Sequence, residues 1–249
     1  MIGSGNVAFH LHLAFQEAQH VVLKQLVGRR LDGFESFNPS IPRTLIGNEI
    51  AQADIYVVAV SDTAVEGVFE KLSGQSGIVV HTSGALVLET SGVVQRTGVF
   101  YPLQTFSKSR RVQIKEIPLF IEAENLEDLK VLQALATAIG THPIHSNPKT
   151  RLAAHLAAVF ANNFANHMIY LAQEICAANK LDQGLLDPLM QETFLKLQSI
   201  AAKDAQTGPA RRKDYITQDA HKQLLNQESL LDLYSLISKS IETTYEKKL

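Results

Sequence analysis

The first residues of the chain form a pattern that could bind phosphate groups. They are Gly3, Ser4, Gly5, Asn6, Val7 and Ala8. A tight glycine turn that opens a helix lets backbone N–H groups approach a pyrophosphate, and the helix N-terminus adds positive potential. A tight structural turn without a ligand is the alternative interpretation of these glycines.

An arginine pair, Arg29-Arg30, follows an apolar run over residues 21–27, where a second strand is expected to end. At this position an acidic side chain would hold a ribose diol, whereas an arginine accepts a 2′-phosphate. The glycine turn and the arginine pair together predict a dinucleotide site that prefers NADP to NAD.

Polar residues follow three further apolar runs, at the sheet edge where the carboxyl ends of parallel strands bind ligands. Val60-Ser61 would pass beneath the ribose and phosphates of the cofactor. Thr82-Ser83-Gly84 could bring hydroxyl and backbone donors to a nicotinamide or a substrate carbonyl. The segment 101–106 adds the phenol of Tyr101 near the same edge. Simple turns without a ligand are the alternative for the last two segments.

A long helical pattern without proline or glycine covers residues 149–179 and supplies candidates for acid–base chemistry. On a regular helix, Asn163 lies about 80° from His155, and Lys149 lies about 40° further round. These side chains could protonate or deprotonate a hydroxyl while a hydride moves to or from a nicotinamide. A core histidine with satisfied hydrogen bonds is the alternative for His155.

Two other groups of polar residues have types that occur in ligand sites. Thr207-Gly208-Pro209 is typical of a helix start, and Arg211-Arg212 could bind an anionic substrate group or form a solvated basic turn. The histidines at 81, 142, 145 and 155 lack the spacing of metal ligands, and no carboxylate or cysteine cluster accompanies them. We therefore predict no metal site.

Strand-like and helical segments alternate along the first part of the chain. Strand patterns are expected at 21–27, 55–60, 78–81, 98–100, 117–122 and 141–145, and helical patterns at 5–18, 62–72 and 125–139. Residues 31–43 are predicted to form a loop or a short broken helix. This alternation predicts an α/β fold with a mostly parallel, doubly wound sheet.

After Asn147-Pro148 only helical patterns follow, at 149–179, 184–203, 209–225 and 227–246. We therefore predict an NADP-binding domain over 1–146 and an all-helical domain over 147–249. Only Met1 and Ile2 precede the first glycine, whereas a strand usually needs about five residues. We expect a misplaced chain start, with a first strand reduced to a stub as the alternative.

Composition argues against several classes of protein. The 249 residues are 45% hydrophobic and 19% charged, as in ordinary globular proteins. A net charge of −2 gives no electrostatic case for binding nucleic acid or an anionic membrane. The single cysteine, Cys176, forms no intramolecular disulfide and fits a reducing compartment. With no apolar run of transmembrane length, we expect a cytoplasmic protein.

Five motifs occur in order along the chain: 3–8, His81-Thr82-Ser83-Gly84-Ala85, 101–107, 155–163 and 207–212. With them the whole chain resembles the bacterial Rossmann-like oxidoreductases that carry a C-terminal domain of unknown function, number 2520. That family is similar in plan to pyrroline-5-carboxylate reductases, ketopantoate reductases and β-hydroxyacid dehydrogenases. The resemblance implies a Rossmann-type NADP-binding domain, a helical domain that often completes the site as a dimer, and hydride transfer.

The resemblance also implies roles for individual residues. The family's histidine, asparagine and entering lysine fall on His155, Asn163 and Lys149, and its phosphate-reading arginine falls on Arg29. The cofactor turn falls on residues 3–7. Tyr101 stands where relatives often have histidine, and Lys213 where they often have glycine.

Taken together, we expect an NADP-dependent oxidoreductase that acts on a small carbonyl or alcohol, or on an imine or amine, with an anionic substrate favoured. The hydride would pass near Ser83, with His155 or Lys149 as acid or base and Asn163 orienting the substrate. A homodimer through the helical domain is compatible with this function. The alternative is a dinucleotide-binding sensor or scaffold protein without catalytic activity.

Overall fold

The computed structural model describes residues 1–87, 94–115 and 117–246. Packing divides the chain into two compact units, Met1–Met168 and Ile169–Leu249. This division falls inside the long helical segment, later in the chain than residue 146, because the first half of that segment packs with the sheet. The assignment of cofactor binding to 1–146 and of substrate binding and dimerisation to 147–249 stays a prediction.

Among the described residues of the first unit, seven strands form the sheet. They are β1 (Leu26–Gly28), β2 (Arg43–Leu45), β3 (Ile55–Val58), β4 (Ile78–His81), β5 (Thr97–Pro102), β6 (Pro118–Ala123) and β7 (His142–His145). β1 pairs with β2, and the other five pair in the order β3-β4-β5-β6-β7. All neighbouring pairs are parallel except β5 with β6, so the prediction of a mostly parallel sheet is confirmed. β2 lies at the end of the segment that was expected to be a loop.

The segment before the glycine turn joins the two groups of strands. Ile2 forms parallel bridges to Val27 of β1 and to Val58 of β3. Its N–H donates to Val57 O at 2.8 Å, and the N–H of Gly3 donates to Val27 O at 2.9 Å. A strand stub therefore holds the centre of the sheet, and the glycine turn leaves directly from it.

Apolar residues cover both faces of the sheet, which explains why its strands read as continuous apolar runs. One buried cluster contains Leu11, Phe34, Phe100 and Leu132. The other contains Val58, Phe69 and further buried residues. Helices supply the opposing surfaces of these clusters: α1 (Asn6–Glu17), α2 (Asp62–Lys71) and α3 (Leu126–Ala138).

The predicted long helix is present, but its middle part is π-helical and not α-helical. It consists of α4 (Pro148–Ala158), a π-helical segment (Val159–Phe164) and α5 (Ala165–Ala178). Its start is set by proline in the first turn and by Asn147, whose side chain accepts a hydrogen bond from Thr150 N at 2.9 Å.

The second unit continues with a 3₁₀ turn (Gln183–Leu186), α6 (Asp187–Lys196), α7 (Ala202–Ala205), α8 (Pro209–Arg212), α9 (Tyr215–Leu224) and α10 (Glu228–Tyr245). Two predicted helices are interrupted. After α6 the Ser199 hydroxyl donates to Lys196 O at 3.2 Å, a local bond that competes with helix continuation. After α8, Lys213 has a φ of 55°, in the left-handed region that favours glycine.

Across the described ranges, we find no helix that combines the length and the apolar character needed to span a membrane.

Candidate functional site

A cleft of about 760 Å³ opens in the first unit at the carboxyl ends of the stub, β1, β3, β4 and β5. Every predicted cofactor residue lines it, together with two of the four predicted catalytic residues. These lining residues are Gly3, Ser4, Gly5, Asn6, Val7, Arg29, Arg30, Val60, Ser61, Thr82, Ser83, Gly84 and His155. The structure thus brings distant motifs of the sequence into one cavity, as the doubly wound topology requires.

The glycine turn offers free backbone donors at one wall of the cleft. Gly5 is the N-cap of α1, no side chain caps this helix end, and its first turn carries no acidic residue. The first N–H groups of a helix have no partner within the helix, so they are available to an anion. Gly3 has a φ of 113°, and a Cβ there would lie 2.1 Å from Ala59 O. Only glycine allows the stub to turn this closely past β3.

Arg29 and Arg30 follow β1, as predicted, but the acidic residue Asp32 lies beside Arg30. Arg30 forms an exposed ion pair and hydrogen bonds with Asp32, and its guanidinium lowers the pKa of that carboxyl. In the described ranges we find no hydrogen bond or ion pair that engages the Arg29 side chain. Arg29 is therefore the cation available to an anionic ligand at this end.

The other end of the cleft contains a tyrosine–histidine pair. Tyr101 Oη lies 3.0 Å from His155 Nδ1, and both residues line the cleft beside Gly84. Burial raises the pKa of Tyr101, so it stays a phenol at neutral pH. The sequence predicts Tyr101 near this edge but gives no sign of the pair, because nothing local links Tyr101 to a residue 54 positions away.

The side chain of Ser83 stabilises the turn formed by residues 83–86. Its side-chain oxygen accepts hydrogen bonds from the backbone N–H groups of Ala85 and Leu86, both at 3.1 Å, and the residue is buried. The hydroxyl hydrogen can still donate, so the predicted contact with a ligand is compatible with this role.

Arg151 helps to form the site, although the sequence does not indicate this, and it is the largest fully buried side chain in the described ranges. Its guanidinium donates to Ser83 O at 3.0 Å, to Leu86 O at 2.6 Å and to Glu122 Oε1 at 2.9 Å. Arg151 therefore ties α4, which carries His155, to the turn 83–86 and to β6. One arginine on an amphipathic helix gives no sequence signal for such burial.

His81 lies beneath the same turn and is neutral. Its Nδ1 accepts a hydrogen bond from Ser83 N at 3.1 Å. Burial, followed by the charge of Arg151, lowers the pKa of His81 to about 3. Its Nε2 is buried, with no hydrogen-bond partner in the described structure.

Other predicted ligand residues lie outside the lining of this cleft. Lys149 and Asn163 are exposed, in the first turn of α4 and in the π-helical segment respectively. In the second unit, Arg211 donates to Asp204 O at 3.4 Å and stacks on Tyr245 at 4.9 Å, which indicates a structural role. The described residues contain no group of three side chains suited to a metal ion.

Known families and structures resemble this chain. The family described as a domain of unknown function, DUF2520, matches residues 117–241. A Bacteroides fragilis protein named "putative NADP oxidoreductase" is 33% identical, with a TM-score of 0.89, over 97% of this chain and 96% of that chain. No curated protein matches the chain.

Two further crystal structures share the fold. A Thermotoga maritima protein is 20% identical with a TM-score of 0.79, over 99% of this chain and 98% of that chain. A Plasmodium falciparum pyrroline carboxylate reductase with NADP bound is 13% identical with a TM-score of 0.59, over 98% of this chain and 97% of that chain. The Rossmann-type fold predicted from the motifs is confirmed. The DUF2520 match spans half of the chain and the 33% identical relative nearly all of it, so this chain belongs to the DUF2520 family.

Proposed function

We propose that this protein is an NADP-dependent oxidoreductase that transfers a hydride between the cofactor and a small carbonyl or alcohol, or an imine or amine. The observation that carries this proposal is the single cleft that joins the glycine turn, Arg29 and the Tyr101–His155 pair. Its volume of about 760 Å³ falls in the range of small-molecule and cofactor sites. The 33% identical relative bears the name of an NADP oxidoreductase, which supports the same activity.

The residues present fit this cofactor. The uncapped N-terminus of α1 would hold the pyrophosphate, and Arg29 would hold the 2′-phosphate. The nicotinamide, which supplies the hydride when NADPH is bound, would lie toward Thr82, Gly84 and His155. His155 then exchanges a proton or a hydrogen bond with the substrate oxygen or nitrogen. For Lys149 to act as acid or base, and for Asn163 to orient the substrate, their side chains would have to contact the bound substrate.

A reduction panel tests the activity. Keto acids, aldehydes and cyclic imines are mixed with NADPH, and its oxidation is followed by absorbance. We expect turnover of at least one class, and His155→Asn to lower kcat/KM by about 100-fold or more while NADPH affinity stays within about twofold. Tight NADPH binding without turnover of any class would contradict catalysis and support the sensor alternative.

We also propose that the second unit binds a second copy of this chain. Large apolar side chains are more than half exposed on its helices and its 3₁₀ turn, among them Leu185, Leu189, Ile216, Leu224 and Leu236. Monomers rarely expose so much apolar surface, and symmetric dimers commonly cover such surfaces.

Light scattering at about 10 µM protein tests the dimer. We expect twice the chain mass of 27.4 kDa. A monomer at this and at tenfold higher concentration would contradict the dimer and leave the proposed activity unaffected.

A further inference from the structure

We propose that Tyr101 is a positioning residue that holds His155 in its Nε2–H tautomer, so that the reactive end of the cleft presents a fixed hydrogen-bond donor. The role of that donor toward a substrate rests on the proposed function. The tautomer itself is a property of this chain alone.

The contact between the two side chains is direct. Tyr101 Oη and His155 Nδ1 are 3.0 Å apart, and the ring centroids are 5.9 Å apart at an interplanar angle of 72°. Both side chains are partly buried and line the cleft. This geometry is that of a good O–H···N hydrogen bond with edge-to-face rings.

The direction of this hydrogen bond follows from the protonation of the phenol and from the acceptors within its reach. Burial raises the pKa of Tyr101, so its oxygen keeps the proton. Within the described ranges we find no other hydrogen-bond partner for this hydroxyl. Because partly buried O–H donors seldom lack an acceptor, His155 Nδ1 is the acceptor. The proton of the neutral ring is then on Nε2.

The surrounding backbone fixes the pair from the side of the turn. A Cβ added to Gly84 would lie 2.6 Å from His155 Nδ1 and 2.8 Å from Tyr101 Cζ, so both rings pack against this glycine. Arg151, one helical turn before His155, binds Ser83 O in the same turn. The ring of His155 therefore has little room to rotate away from Tyr101.

A fixed N–H donor favours a substrate whose reacting group has a lone pair that can accept the hydrogen bond. A carbonyl oxygen accepts a hydrogen bond from Nε2–H, and this makes the carbonyl carbon more electrophilic; neutral imidazoles polarise carbonyl groups in this way in other enzymes. A protonated imine, the form that accepts hydride readily, has no lone pair on nitrogen. We therefore expect aldehydes and ketones to be reduced faster than cyclic imines of the same size in the panel above, and the reverse order would contradict this consequence.

The tautomer is tested by ¹⁵N NMR of the histidine rings in the full chain without added ligand, with His155→Asn used to assign the signals. In the wild type we expect His155 to carry its proton on Nε2. Tyr101→Phe should lower the ratio of the Nε2–H to the Nδ1–H form about fivefold, since one hydrogen bond is lost. An Nδ1–H ring in the wild type, or an unchanged ratio in Tyr101→Phe, would overturn the proposal.

The chain contains a matched control outside the cleft. Tyr234 Oη lies 3.0 Å from His221 Nδ1, with ring centroids 5.9 Å apart. Tyr234→Phe should alter the signals of His221 and leave those of His155 unchanged. A change at His155 in this variant would contradict a local role of Tyr101.

NADPH titration of the same samples separates this proposal from the proposed function. Far-UV circular dichroism of Tyr101→Phe should match that of the wild type, which reports an intact fold. A wild type that fails to bind NADPH but shows the expected tautomer would refute the oxidoreductase alone. Normal NADPH binding with the wrong tautomer would refute the role of Tyr101 alone.

Discussion

At the scale of single residues, the two arginines after β1 are not equivalent. Arg30 already pairs with Asp32, whereas Arg29 lines the cleft and forms no ion pair or side-chain hydrogen bond within the described part of the chain. An unpaired guanidinium at this position is suited to a phosphate, because arginine forms charge-assisted and bidentate hydrogen bonds with it. Preference for NADP over NAD should therefore depend mainly on Arg29.

We expect Arg29→Ala to weaken NADPH binding by about 10- to 100-fold, the loss of one charge-assisted hydrogen-bonded contact, and to change NADH binding by less than about twofold. Calorimetric titration of both cofactors measures this. Arg110→Ala, an exposed arginine that does not line the cleft, is the control and should change neither affinity. Equal losses for the two cofactors would reject a 2′-phosphate role.

Sequence could predict the cleft residues whose type is required by the local backbone conformation or by their position at the end of a buried strand. Gly3 must be glycine at a φ of 113°, and polar residues must follow buried strands at the ligand edge. Tyr101 is predicted near this edge, but its pairing with His155 and the role of Arg151 could not be predicted, because the partners, His155 and Ser83, are 54 and 68 positions away. Only packing in three dimensions brings these side chains together.

At the scale of elements, the helix that carries His155 departs from regular geometry just after it. The segment Val159–Phe164 is π-helical, and i→i+5 bonding turns the chain by a smaller angle per residue than an α-helix. The angle of about 80° between His155 and Asn163 assumes a regular α-helix, so it is too large. The helical pattern of the sequence predicted the extent of this helix. It could not predict the local change to i→i+5 hydrogen bonds.

Arg151 is the main polar link between this helix and the sheet. We expect Arg151→Met to lower the free energy of unfolding by about 3–5 kcal/mol, because the largely buried Glu122 would lose its cation and keep only the hydrogen bond from Ser146. Urea denaturation measures the change. Lys222→Met, which removes the exposed pair with Asp219, is the control and should cost less than about 1 kcal/mol. A similar small loss for Arg151→Met would refute its role as the link.

At the scale of the whole molecule, the segment before the glycine turn links the two groups of strands. The stub pairs on both sides, and apolar clusters on the two faces of the sheet continue across it. Sequence identified the surrounding strands because buried parallel strands read as apolar runs. It did not identify β2, whose three residues are partly exposed and lack that pattern.

Stability of the whole molecule should depend on pH through His81. Its pKa is lowered to about 3 in the folded chain, against about 6.5 when unfolded. Between these values the unfolded chain binds a proton that the folded chain does not, so stability falls as pH falls below about 6.5. Burial lowers the pKa of His12 as well, which acts in the same direction.

We expect His81 to account for about 2 kcal/mol of the stability lost between pH 7 and pH 5. Urea denaturation at both pH values measures the loss, and His81→Asn should reduce it by that amount. His20→Asn, at an exposed histidine, should leave the loss unchanged. A pH dependence that is the same in His81→Asn and wild type would contradict the buried neutral state.

The most direct measurement is a titration of the wild-type chain with NADPH and, separately, with NADH. We expect one NADPH to bind per chain with a Kd of about 1–100 µM, and NADH to bind at least about tenfold more weakly. Failure to bind NADPH at about 1 mM, or equal affinity for the two cofactors, would contradict the assignment of this cleft to NADP.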